Sequence, residues 1–251
     1  MAFDVPADAY GRFMGRFSEQ LSAPFADAAG VVPGHRVLDV GCGPGVLTAE
    51  LVGRVGADRV SAVDPSTRFV EAARVRLPGA DVRSGVAEEL QFGDDTFDAA
   101  LAQLVVHFMN DPVAGLREMA RVTRPGGRVA ACVWDHAGDR GPLTPFFRVA
   151  RELDPSRRHG GSGSADGELQ HLAAEAGLHD LVASELEVHV HYDTFEQWWT
   201  PYTAGVGPVG DLMASLDDDR REELRLLALL RMPVAPFAVH ATAWCVVGQV
   251  R

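Results

Sequence analysis

Between positions 36 and 134 short apolar runs alternate with stretches whose apolar residues recur at helical spacing. A parallel sheet covered by helices reads this way along a chain. Arg36-Val37-Leu38-Asp39-Val40 is the first predicted strand, and a glycine-rich turn at 41–45 leads into a helix through Leu47, Leu51 and Val52. Arg59 to Val63 is the second strand. Asp64-Pro65-Ser66 opens a helix whose face is Phe69, Val70, Ala73 and Val75, ending before Pro78-Gly79. Ala80 to Ser84 and Phe97 to Ala102 follow as strands, the second apolar enough to be buried on both faces. Asp111 caps the next helix with Pro112 at its first position, Arg124-Pro125-Gly126-Gly127 stops it, and Arg128 to Trp134 is the fifth strand.

Beyond 134 the pattern loosens. Residues 135–165 read as a Pro-, Gly- and Ser-rich loop, most linker-like at His159 to Ser164 and suited to a lid or substrate loop. A helix is predicted over Glu168–Ala176 and a strand over Glu185–His191. A second insertion, 193–239, holds Phe195, Trp198, Trp199, Tyr202 and a helix around Glu222–Arg231, before a final strand at Ala241–Val247. The organisation expected is one domain over 1–251: an N-terminal helical cover (1–30), a core (31–134), and substrate or cover insertions at 135–165 and 193–239.

Composition narrows the class. With 251 residues, 47% hydrophobic and 23% charged, the chain is neither disordered nor fibrous, and it is long enough to bury a large core without disulfides or metal. The net charge is -12 and all 23 basic residues are Arg, scattered rather than clustered. Nucleic acid and anionic membrane are therefore not expected partners; a small molecule is. Cys42, Cys132 and Cys245 lack zinc spacing and read as free thiols, and His189 and His191, on one face of a late strand, have no carboxylates at ligand spacing, so no metal is expected. No secretory signal is read at the N-terminus, and the longest largely apolar run, 99–109, is too short for a bilayer, which places the protein in the cytoplasm.

The chemistry concentrates at two points. In Asp39-Val40-Gly41-Cys42-Gly43-Pro44-Gly45 the glycines allow a sharp turn and close approach of a ligand to the backbone. A dinucleotide fingerprint would place a third glycine at 46, where this chain has Val, and a phosphate loop would add a Lys, which is absent. Asp64, after the second strand, faces the same crevice and suits two vicinal ribose hydroxyls; its other role is a cap before Pro65.

Val37 to Gly45, Asp64, Phe97-Asp98 with the following Ala99 to Leu104, and Arg117-Glu118-Met119 through Arg124-Pro125-Gly126-Gly127 closely resemble the class I S-adenosylmethionine-dependent methyltransferases, of the small-molecule type related to quinone-biosynthesis C-methyltransferases. The resemblance covers about 36–134. It implies a Rossmann-like, doubly wound α/β fold: a seven-stranded sheet, mostly parallel with an antiparallel last strand, helices on both faces and a small cover subdomain. It also implies S-adenosylmethionine as cofactor and S-adenosylhomocysteine as product. By position, Gly41 and Gly43 would line the methionine part, Asp64 the ribose and Pro65 the adenine. Val86 stands where the family often has an adenine-binding Asp, leaving backbone groups and Ala87 or Glu88 for that task. Gln103 and Leu104 would present backbone to the methionine ammonium. Tyr10 to Ser18 resembles a helix folded over the cofactor, with Arg16 either pairing with the methionine carboxylate or lying on the surface.

The expected reaction is methyl transfer to a small, largely apolar acceptor through O, N or C. An activated methyl donor asks mainly for alignment and desolvation, and for a base only when the acceptor is protonated. His107 is the candidate base, or else a structural histidine; Trp199 and Tyr202, with Trp198, line an acceptor pocket or form subdomain core. Two rivals stand beside this reading: a nicotinamide oxidoreductase, opposed by Val46, and a regulatory or scaffold protein that binds the cofactor without turnover.

Overall fold

The structure is a computed structural model and describes residues 14–154, 165–205 and 207–251; Tyr10 to Phe13 and the linker-like stretch His159 to Ser164 lie outside the described residues. The elements run α1 (Arg16–Ala28), β1 (Val37–Val40), α2 (Val46–Val55), β2 (Val60–Asp64), α3 (Thr67–Arg76), β3 (Asp81–Ser84), β4 (Phe97–Gln103), α4 (Pro112–Val122), β5 (Thr123–Trp134), α5 (Thr144–Leu153), α6 (Glu168–Glu175), β6 (His179–Tyr192), α7 (Phe195–Trp199), α8 (Gly207–Ser215), α9 (Asp218–Arg231) and β7 (Phe237–Gln249). The seven strands form one sheet in the order β3-β2-β1-β4-β5-β7-β6, with β7 antiparallel to both neighbours and the β1, β2, β3, β4 and β5 pairings parallel. The expected doubly wound sheet with an antiparallel last strand is what the chain forms.

The local rules explain the core elements. Every residue of β1 and β2 is buried, as central parallel strands require. Asp111 accepts from the Ala114 amide with Pro112 opening α4, and Ser66 accepts from the Phe69 amide at the start of α3. One core lies under α1, α2 and the helices inserted after β5 and β6; a second lies on the opposite face, where Leu116, Met119 and Val122 of α4 meet Leu169 and Ala173 of α6. α1 is fixed by Leu21, Phe25 and Ala26, all fully buried, and by Arg54 of α2, which reaches Asp27 and the Ala23 carbonyl.

Three expectations need correcting. Residues 135–165 are not all loop: α5 buries Phe146, Phe147, Val149 and Ala150 and carries Pro145 in its first turn, where proline is tolerated. Arg124-Pro125-Gly126-Gly127 does not delay β5, which begins at Thr123 opposite Phe97 and regains its register at Arg128 after an irregularity. β6 and β7 are longer than their alternating centres. Their pairing runs out to Tyr192 and Phe237, past Ala243, which faces the last residue of β5, so a two-stranded ribbon projects beyond the carboxyl end of the sheet. Among the described residues no helix is long and apolar enough to cross a membrane.

Candidate active site

The chain passes from β1 to β2 and β3 on one side, then returns to β4 and β5 on the other, so the carboxyl ends of β1, β2 and β4 surround the point where strand order reverses. Open α/β sheets bind ligands at that point. Gly41, Gly43 and Gly45 all have positive φ, at 74°, 54° and 85°. The amides of Gly41 and Cys42 both donate to the Val63 carbonyl, at 2.8 and 3.0 Å, which staples the turn to β2. A Cβ on Gly41 would come within 2.3 Å of Val105, whereas one on Gly43 would meet nothing within 4 Å. Gly41 is therefore small for packing, and Gly43 leaves an open cradle.

Asp64 is the last residue of β2 rather than the first after it, and it is buried. One carboxylate oxygen accepts from the Gly43 amide and the other from the Ser66 amide, each at 2.8 Å. A carboxylate offers about four acceptor positions, so one on each oxygen is left over, a match for two adjacent hydroxyl donors. Burial raises its pKa, and the two amides counter this.

Asp39, buried in β1, accepts from Thr48 Oγ1 at 2.6 Å. Burial pushes its pKa up to about 7, the Thr48 hydrogen bond opposes that, and the charge of Asp64 adds to it. Two acids thus flank the turn. The pair favours a ligand that is cationic and carries vicinal hydroxyls, and it repels a pyrophosphate.

The third wall is the end of β4. Leu104 has a φ of 63°, unusual for a branched residue, and its amide donates to the Cys132 carbonyl at 2.8 Å. This twist carries Val105 onto Gly41 and presses the β4 loop against the glycine turn. Gln103 Nε2 donates to the Ser18 carbonyl of α1 at 3.1 Å.

The remaining expected site residues are placed as follows. Pro65 and Val86 are exposed beside Asp64 and β3, and Ala87 is buried under α4. Glu88 Oε1 accepts from the amides of Asn110 and Asp111, so it anchors the start of α4. Arg16 donates to the His191 carbonyl at 2.7 Å and lies 4.5 Å from the Tyr192 ring centroid; its partners are on β6, not on the glycine turn. His107 is half-buried on a short turn after β4, 4.0 Å from Phe108 and 6.5 Å from His136 between ring centroids. Burial holds its pKa down at about 4, with His136 adding to the effect.

Trp199 and Tyr202 lie in a buried aromatic cluster. Tyr202 packs 4.7 Å from Phe146 and 4.9 Å from Trp198, and Trp199 stacks on Phe195 at 5.9 Å; Phe146, Trp198, Trp199 and Tyr202 are buried. Such contacts between aromatic rings hold the helices inserted after β5 and β6 together. Sequence reasoning passed over Asp39, although a lone acid in an apolar strand is a signal in itself, and it passed over Trp134, the last residue of β5, for which no local signal exists. Among the described residues no group of three His, Cys, Asp or Glu side chains is posed to hold a metal ion.

Residues 38–131 match the family model described as "Methyltransferase domain". The demethylmenaquinone methyltransferase of Renibacterium salmoninarum is 39% identical over 110 residues, 44% of this chain and 46% of that protein. The chain thus spans about half the length of the curated relatives it matches. Among solved structures, a putative methyltransferase from an antibiotic biosynthesis pathway of Anabaena variabilis superposes with a TM-score of 0.59 at 16% identity, covering 91% of this chain and 98% of its own. A phosphoethanolamine N-methyltransferase of Haemonchus contortus, solved with phosphomonomethylethanolamine and S-adenosylhomocysteine, superposes at 0.55 with 15% identity, over 100% of this chain and 61% of its own. These structural likenesses speak for the fold. Over residues 38–131 the chain is thus similar to methyltransferase domains, those of the demethylmenaquinone methyltransferases among them.

Proposed function

We propose that the chain transfers a methyl group from S-adenosylmethionine to a small, largely apolar organic acceptor. The observation that carries this reading is Asp64: a buried carboxylate with one amide donor on each oxygen, room for one more on each, and the open cradle of Gly43 beside it. In this reading Asp64 takes the ribose hydroxyls, Gly43 and the β4 backbone at Gln103 and Leu104 flank the methionine part, and Pro65, Val86 and Ala87 border the adenine. When bound, the cofactor supplies an already activated methyl on a sulfonium. Asp39 and Asp64 favour that positive charge over a neutral or anionic ligand.

The protein's own part is then to hold the acceptor in line and to keep water out. In this reading α1 and the buried cluster of Phe146, Trp198, Trp199 and Tyr202 form a cover over the strand ends. His107, with a pKa near 4, is neutral at physiological pH and accepts a hydrogen bond rather than taking a proton efficiently. The test is product formation: S-adenosylhomocysteine release with methyl-labelled cofactor over a panel of phenols, quinols and amines. Binding of the cofactor with no turnover on any acceptor would support the scaffold alternative instead.

A further inference from the structure

Two polar atoms at the carboxyl ends of β4 and β5 are buried without a hydrogen-bond partner among the described residues: Gln103 Oε1 and Trp134 Nε1. Trp134 is only 3% exposed, and a buried donor left unpaired is uncommon enough in folded proteins to need a reason. The orientation of the Gln103 amide is not arbitrary. Its nitrogen donates to the Ser18 carbonyl, and the flipped amide would set oxygen against oxygen. Gln103 pairs with Cys132 across the parallel strands, so Trp134, two residues further along and on the same face, is its diagonal neighbour. Both side chains lie beneath the first turns of α1, where Phe17 packs edge-on against Trp134 at 6.4 Å. Gln103 is half-buried, which places the pair at the margin of the core and beside the end of β4 that borders the proposed cofactor site.

One atom offers a proton and the other a lone pair. We propose that Gln103 Oε1 and Trp134 Nε1 together bind a hydroxyl group of the methyl acceptor, the indole donating to its oxygen and the amide accepting its proton. A hydroxyl satisfies both atoms at once. An ammonium has no lone pair for the indole, an ether or ketone has no proton for the amide, and each would leave one buried group unpaired. The pair therefore selects hydroxyl-bearing acceptors over charged amines. This inference rests on the methyltransferase reading for the identity of the ligand as the acceptor, but the polarity of the pair stands on its own.

The experiment uses the full chain labelled with 15N at the tryptophan indoles, with the Trp134 signal assigned by its loss in Trp134→Phe. Phenol, anisole and benzylammonium are titrated with and without saturating S-adenosylhomocysteine. Phenol is expected to move the Trp134 signal saturably, anisole and benzylammonium to bind at least tenfold more weakly, and Gln103→Met to weaken phenol at least fivefold. Should Gln103→Met fail to fold, calorimetric phenol binding by Trp134→Phe replaces it, with the same loss expected. A Trp134 signal unmoved by phenol marks a trapped water only and overturns the proposal, as does equal response to anisole or undiminished phenol binding in the variant. Calorimetry with S-adenosylhomocysteine alone, in the same samples, reads the cofactor assignment separately: its failure with an intact phenol response removes the methyltransferase reading and leaves the hydroxyl site.

Discussion

Replacing Asp39 by Asn isolates the electrostatics of the glycine turn. Asp39 is buried and its pKa rises from 3.8 to about 7. The folded state therefore holds the proton more tightly than the unfolded chain. The stability this group confers is fully present below pH 3.8 and is lost as pH rises through about 7. The whole gap corresponds to at most about 4 kcal/mol, using 1.36 kcal/mol per tenfold change in proton affinity. Asn keeps the shape and an oxygen for Thr48 Oγ1 but cannot ionise, so it escapes that loss. Its buried amide protons carry a cost of about 1–3 kcal/mol if unpaired, and this offset is nearly independent of pH. The pH-dependent part is thus the clean quantity. In urea unfolding of the cofactor-free protein, the stability of Asp39→Asn relative to wild type should rise by about 2–3 kcal/mol between pH 5 and pH 8. Loss of the ionised fraction of Asp39 should also weaken S-adenosylmethionine, which carries a sulfonium, more than S-adenosylhomocysteine, which does not, and more so at pH 8 than at pH 6. Stability curves that stay parallel across that pH range would refute the argument that burial beside Asp64 raises the pKa of Asp39.

Other outcomes follow from the same geometry. His107→Gln should lower turnover less than about tenfold and leave the pH profile between 6 and 8 unchanged, because a group with a pKa near 4 stays deprotonated throughout that range; a profile that loses a limb near pH 6–7 would restore His107 as the base. Trp199→Ala should cost about 3–5 kcal/mol of stability, as for other buried aromatics, with the cofactor affinity of the folded fraction unchanged; calorimetry paired with thermal unfolding separates the two effects. Chelator should leave methyl transfer unaffected, and activity lost in chelator and restored by a divalent ion would overturn that expectation.

The central part of the fold was legible because its signals are local. The apolar runs of β1, β2 and β4, the Asp111-Pro112 cap and the glycine turn each declare themselves within a few residues. Asp64 could be read for the same reason, since a strand end beside a neighbouring turn fixes its place. What escaped depends on distant partners. Pro142 and Pro145 read as loop because proline breaks helices, yet Pro145 sits in the first turn of α5, where it does no harm, and the burial of Phe146 and Phe147 that holds α5 comes from Trp199 and Tyr202, over fifty residues later. Trp198, Trp199 and Tyr202 were ambiguous in sequence because pocket and core use the same rings. Arg16 was drawn to β6 by the His191 carbonyl and Tyr192, 175 residues away in the case of His191. The left-handed Leu104 has no signature at all, because it is imposed by the β5 carbonyl that its amide meets and by Val105 seating on Gly41.

The most direct test of the central claim is calorimetric binding of S-adenosylhomocysteine to the wild-type chain and to Asp64→Ala, with circular dichroism to show that the variant is folded. The account predicts one equivalent bound by the wild type and an affinity about 10- to 150-fold lower in the variant, the equivalent of roughly 1.5–3 kcal/mol for lost charge-assisted hydrogen bonds. No binding by the wild type, or equal affinity in a folded Asp64→Ala, would contradict it.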